Sequence, residues 1–140
     1  MASKVMLDVN VLLDFMLKRE QYEKSKQIMN LIVEDQLKGY ITPSIVHIAG
    51  YWLTKGYGAA KAKMLLLALL DHVQVIDLDH ETTLHALHSR MNDIEDALQY
   101  YTAMHHKIDF FISCDKAYRK DAIPALPVYT PDEFLKRFNF

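Results

Sequence analysis

Short apolar runs alternate along the chain with longer segments in which apolar positions recur every three or four residues. The first kind reads as buried strands and the second as amphipathic helices. Val5-Met6-Leu7 predicts a first strand that stops at Asp8, followed by a helix over 11–17 with Asn10 as its N-cap. A longer helix is expected over 22–37, terminated by Gly39, before a second short strand at Tyr40-Ile41. Ser44 is the expected cap of a helix carrying Ile45, Ile48, Trp52 and Leu53, broken by Gly56 and Gly58. A helix over 59–70 contains the run Met64 to Leu70 and reads as buried on most of its surface. A third strand is expected over 73–78, helices over 82–91 and 94–106, and a fourth strand at Phe110-Phe111-Ile112. Pro127-Val128-Tyr129 offers a fifth strand. Thr130-Pro131-Asp132-Glu133 then opens a final helix with the signature of a capping box and Pro at N1.

Strands alternating with helices imply βαβ units, so the expected fold class is α/β. It would be a parallel sheet of four to five short strands flanked by helices on both faces, in a single domain over 1–140. In such sheets ligands gather beyond the carboxyl ends of the strands. The residues just past each strand therefore carry the functional question.

Composition narrows the classes. Of 140 residues, 51% are hydrophobic and 24% charged, which supports a packed core rather than a disordered tail. Sixteen basic against 18 acidic residues give a net charge of −2, unlike a strongly basic nucleic-acid coat protein. One cysteine, Cys114, excludes an intrachain disulfide and a multi-cysteine zinc site, and it reads as a small buried thiol. With no disulfide framework, no signal-peptide core and no membrane-spanning run, a cytoplasmic location is expected.

The acids stand out at the strand ends. Asp8 follows the first strand, with Asn10 and Asp14 just beyond it. Ser113, Cys114 and Asp115 follow the fourth strand, and Asp93-Ile94-Glu95-Asp96 opens the helix before it. Each has an ordinary reading, since Asp is a preferred N-cap and turn former. Asp8, Asp96 and Asp115 brought to one sheet edge would repel one another unless some protonate or a cation binds. Hard oxygen donors without a sulfur or imidazole cluster suit Mg²⁺ or Mn²⁺, ions that serve phosphodiester chemistry.

These residues, in this order, resemble the PIN-domain family of metal-dependent ribonucleases. Leu7 to Asp14 is similar to its first motif, Asp93 to Ala103 to its central acidic motif, and Asp109 to Asp115 to the strand that delivers the last acid. The resemblance extends to the ending at Pro127 to Leu135 and covers essentially the whole chain. It implies metal ligation by Asp8, Asp96 and Asp115, with Asn10, Asp93, His47 and Ser113 in support. It further implies cleavage of single-stranded RNA, often by a toxin paired with a small antitoxin protein, and frequent homodimers. His47 stands where many members carry Glu, and Ser113-Cys114 stands where Thr-Arg is common, which implies weaker metal binding and reduced activity.

Lys18, Arg19, Arg119 and Lys120 are candidate RNA phosphate contacts beside the acids. Tyr51, Trp52 and Tyr57 could stack bases, although core or partner surface is the plainer reading. His85 and His88 at i, i+3 read as a solvated helix face, and His105-His106 as a helix end. Two other classes compete with the nuclease. One is the same fold with a weakened site, acting as an RNA- or protein-binding module. The other is a phosphatase with Asp8 as nucleophile, which would want Asp where Asn10 stands.

Overall fold

The computed structural model describes residues 2–138. In chain order the elements are β1 (Ser3–Leu7), α1 (Val9–Met16), α2 (Tyr22–Val33), β2 (Leu37–Ile41), α3 (Pro43–Tyr57), α4 (Ala59–Leu70) and β3 (Val73–Val75). They continue with α5 (His80–His88), α6 (Ile94–His105), β4 (Phe110–Ile112), α7 (Lys116–Asp121), β5 (Val128–Tyr129) and α8 (Pro131–Arg137). The five strands form one parallel sheet in the order β3-β2-β1-β4-β5. The chain first builds outward from β1 to β3, then crosses to the other side of β1 to lay down β4 and β5. The switch point therefore lies between β1 and β4, where a ligand crevice is expected.

The sheet is buried on both faces. In β1, Val5 and Leu7 enter a core with α1, α2, α3, α4 and α8, while Met6 points to the opposite core built around Tyr100, Phe111 and Tyr118. This alternation is the period-2 geometry of a strand, and it explains why the strand is apolar throughout. No helix among the described residues is long and apolar enough to cross a membrane.

Several boundaries differ from the sequence reading. Asp8, not Asn10, caps α1, because its carboxylate accepts the Val9 N–H. The α2 helix ends at Val33, and Gly39 lies inside β2 rather than terminating a helix. A Cβ at Gly39 would stand 2.7 Å from Cδ1 of Ile32, so close packing of helix on strand is what this glycine serves. Thr42 caps α3 in place of Ser44, with Pro43 in the first turn, and the break after α3 falls at Gly58, where φ is +88°. β3 is only three residues long, because its partner β2 ends at Ile41 opposite Val75, and Asp79 then caps α5. The α4 helix is not buried on most of its surface: only Ala62 and Leu69 are, and Met64 and Leu67 lie open.

Candidate active site

Asp8 begins where β1 ends. Its backbone N–H donates to the Ile112 carbonyl over 3.0 Å, which extends the β1–β4 ladder by one step. Its side chain is buried, and both oxygens are engaged. Oδ1 accepts the Val9 N–H at 2.8 Å and Oδ2 accepts the Ser113 hydroxyl at 2.8 Å. Ser113 Oγ in turn accepts the Asp115 N–H at 2.9 Å. Asp115 then caps α7 through the Ala117 N–H at 2.9 Å, and Asp93 caps α6 through the Asp96 N–H at 2.9 Å. Three helices thus begin at Asp8, Asp93 and Asp115, where the positive ends of their dipoles favour carboxylates. The ordinary capping role and the clustering of acids coexist in the same residues.

Electrostatics ties these acids into one group. Burial pushes the Asp8 carboxyl up to about 6. The Ser113 and Val9 hydrogen bonds oppose that rise, and the charges of Asp115 and Glu95 add to it. Asp96 also rises to about 6, first through burial and then through Asp93, Asp115 and Asp8. Burial and Asp93 raise Glu95. The charge of Asp115 therefore reaches both Asp8 and Asp96, and that of Asp8 reaches Asp96. None of the four carboxylates Asp8, Glu95, Asp96 and Asp115 has an ion-pair partner among the described residues. No three His, Cys, Asp or Glu side chains among the described residues stand in a ready-made metal-ligating group. The donor chemistry nonetheless fits a hard divalent cation: oxygen donors only, partly desolvated, mutually repelling and without a basic counter-charge.

Two participants escaped the sequence reading. Glu95 lies inside the acidic run that opens α6, and its charge reaches Asp8. Tyr118 of α7 is fully buried with its hydroxyl beside the Asp96 carboxyl, a contact that opposes the rise at Asp96. That hydroxyl makes no hydrogen bond of ordinary geometry, so the contact is a loose one. Its only sequence signal is an aromatic residue with a polar tip one helical turn beyond Asp115.

The remaining expected residues are dispersed. Asn10 is exposed, and its Oδ1 accepts from Arg19 Nη2 at 3.2 Å. Arg19 Nε donates to Asp14 Oδ1 at 3.1 Å, so this arginine is committed to the buried Asp14. Arg119 is paired with Glu133. Lys18 lines an apolar groove with Phe15, Tyr22 and Met29, and Lys120 lines a cleft with His88 and Arg90. His47 is exposed and faces a groove between α3 and α4 whose lining holds no carboxylate. Cys114 is exposed rather than buried. His105 meets Asp79 at 3.4 Å and His106 Nε2 lies 2.7 Å from the Asp77 carbonyl, as suits a helix end.

A PIN-domain family profile matches residues 4–117. The chain belongs to the PIN-domain family. Its fold is similar to VapBC2 from Rickettsia felis, solved with a DNA fragment from its promoter. There the TM-score is 0.72 and the identity 14%, over 91% of this chain and 98% of that one. It is similar to a chain of a toxin–antitoxin complex from Klebsiella pneumoniae (TM-score 0.67, 20% identity, 91% and 97% covered). It is also similar to VapC20 of Mycobacterium tuberculosis, a toxin that cleaves the Sarcin-Ricin loop (TM-score 0.63, 12% identity, 80% and 90% covered). At such identities the likeness establishes the fold. No curated protein matches the chain. PIN domains are typically metal-dependent nucleases.

Proposed function

We propose that this PIN domain is a Mg²⁺- or Mn²⁺-dependent ribonuclease that hydrolyses single-stranded RNA as the toxin of a toxin–antitoxin pair. Asp8 carries the reading. It is a buried carboxyl with no basic partner among the described residues, under the influence of Asp115 and Glu95, at the switch point of the sheet. Asp8, Asp96 and Asp115 would hold the cation, which when bound supplies an activated water and charge neutralisation for phosphodiester hydrolysis. The Ser113 hydroxyl holds one oxygen of Asp8 and the Val9 N–H the other, which orients the carboxylate without neutralising it. Asp93 holds the first turn of α6 and so sets the position of Asp96. Desolvation at this edge would strengthen the attraction between these carboxylates and a bound cation. The toxin–antitoxin complexes among its structural neighbours support a small antitoxin as partner, and a homodimer is the expected assembly.

The test is cleavage of end-labelled single-stranded RNA in Mg²⁺ or Mn²⁺ against EDTA, with wild type and Asp8→Asn. Metal-dependent cleavage that disappears in Asp8→Asn is expected. Wild-type cleavage by Asp8→Asn, or in EDTA, would sink the proposal. A weakened site on an RNA-binding module is the second reading, favoured by His47 standing apart from the acids on α3. It predicts RNA binding without turnover. The phosphatase is disfavoured, since Asn10 stands where it would want a second Asp.

A further inference from the structure

Helices α3 and α4 carry Lys55, Lys61 and Lys63 and no acidic residue, a local charge of +3 in a chain whose remainder sums to −5. None of these lysines has an ion-pair partner among the described residues. Two of them, Lys55 and Lys61, lie instead over aromatic rings. Lys55 Nζ is 5.1 Å from the Tyr51 ring centre and 5.6 Å from that of Trp52, and Lys61 Nζ is 4.6 Å from that of Tyr57. Tyr51 and Trp52 meet edge to face at 5.3 Å, yet both rings stay about half exposed (53% and 45%). The periodicity of α3 explains the arrangement. Ile45, Ala49 and Leu53 form its buried stripe, and His47, Tyr51 and Lys55 form a second stripe two positions on, across the helix axis. That stripe and Lys63 of α4 border an open groove of about 510 Å³.

We propose that the α3–α4 surface is a stacking platform for single-stranded RNA, a binding site separate from the acidic edge. The inference rests on the ribonuclease reading for its choice of polymer. Aromatic faces accept bases of any sequence, and adjacent lysines meet the phosphates. An apolar partner alone would leave three ammonium groups without counter-charge, whereas an RNA strand satisfies charge and rings together. A buried hydrogen bond ties the helix that carries the platform to the helix that carries Asp96. Thr42, which caps α3, hydrogen-bonds Gln99, one turn beyond Asp96 on α6. Tyr51 follows Thr42 by nine residues, about 14 Å at a helical rise of about 1.5 Å per residue. His47 lies between them and faces the same groove.

Trp52 is the only tryptophan, so its emission reports directly on this surface. The experiment is titration of a labelled single-stranded RNA oligonucleotide into the full chain in EDTA, read by anisotropy and by Trp52 fluorescence. Expected are binding with a changed Trp52 emission and, in Lys55→Ala/Lys63→Ala, affinity lowered about ten-fold with a shallower salt dependence. Tyr51→Leu keeps apolar area but removes a ring face, and it should lower affinity about five-fold or more. Circular dichroism and melting confirm that each variant is folded. Unchanged affinity in these variants, no RNA binding, or a Trp52 signal that tracks protein concentration without RNA overturns the platform; the last would show a second copy covering this face. Because binding is read without metal, failure of the platform is distinguishable from loss of cleavage in Asp8→Asn.

Discussion

Ser113 and Asp8, 105 positions apart, are joined by a 2.8 Å hydrogen bond in which the serine hydroxyl donates to Oδ2 of the buried carboxylate. The same oxygen of Ser113 accepts the Asp115 N–H, so one small side chain couples the end of β1 to the entry of α7. Ser113→Ala removes a donor that opposes the upward shift of Asp8. The Asp8 carboxyl should then rise above about 6. The acid limb of the pH–rate profile should move to higher pH, and stability at pH 7 should fall by about 1–2 kcal/mol. Rate profiles in Mn²⁺ and urea melts check both.

A second prediction concerns pH. The folded-state value of Asp8 lies at about 6 against an ordinary 3.8, so between those values the folded chain binds more protons than the unfolded one. Stability of the metal-free protein should therefore decline as pH rises through that window and level off above it. Asp8→Asn removes this penalty, of order 1–3 kcal/mol at most. In EDTA the variant should melt higher than wild type at pH 7 and alike at pH 3.5. Added Mg²⁺ or Mn²⁺ should reverse the ranking at pH 7 by stabilising wild type alone. A melting point that ignores both pH and metal would contradict the assignment.

Close packing at Gly39 makes a structural prediction. Gly39→Ala forces the Ile32 side chain to move, at a cost of about 1 kcal/mol or more in a filled core. Ile32→Val deletes the offending Cδ1 and should be less costly in the Gly39→Ala background than alone, a coupling that a double-mutant cycle measures.

Local patterns in the chain carry information about local structure. The apolar runs at Val5–Leu7 and Phe110–Ile112 and the capping box at Thr130 and Glu133 were all legible, because they depend on neighbours within a few residues. The boundaries that moved were decided by packing. Gly39 reads as a helix stop until Ile32 is seen pressed against it, and the apolar α4 reads as buried until its neighbours are seen to leave Met64 and Leu67 uncovered. His47, Arg19 and Arg119 look alike as candidates near acids, yet Arg19 turns to Asp14, Arg119 to Glu133 and His47 to a groove of α3. Side-chain direction on a helix depends on which face is buried, and a linear pattern of charges does not state it.

Taken alone, the sequence determined the α/β class, the parallel alternation and the three acidic segments, since strand and helix periods and capping chemistry act over short range. Tertiary structure decided which of those acids lie within electrostatic reach of one another. The 3-2-1-4-5 strand order brings the ends of β1 and β4 together, so that the charges of Asp8 and Asp115 reach Asp96, and Ser113 bridges Asp8 and Asp115. It also decided which aromatic rings face water, because exposure is set by the helices that pack, or fail to pack, against α3 and α4.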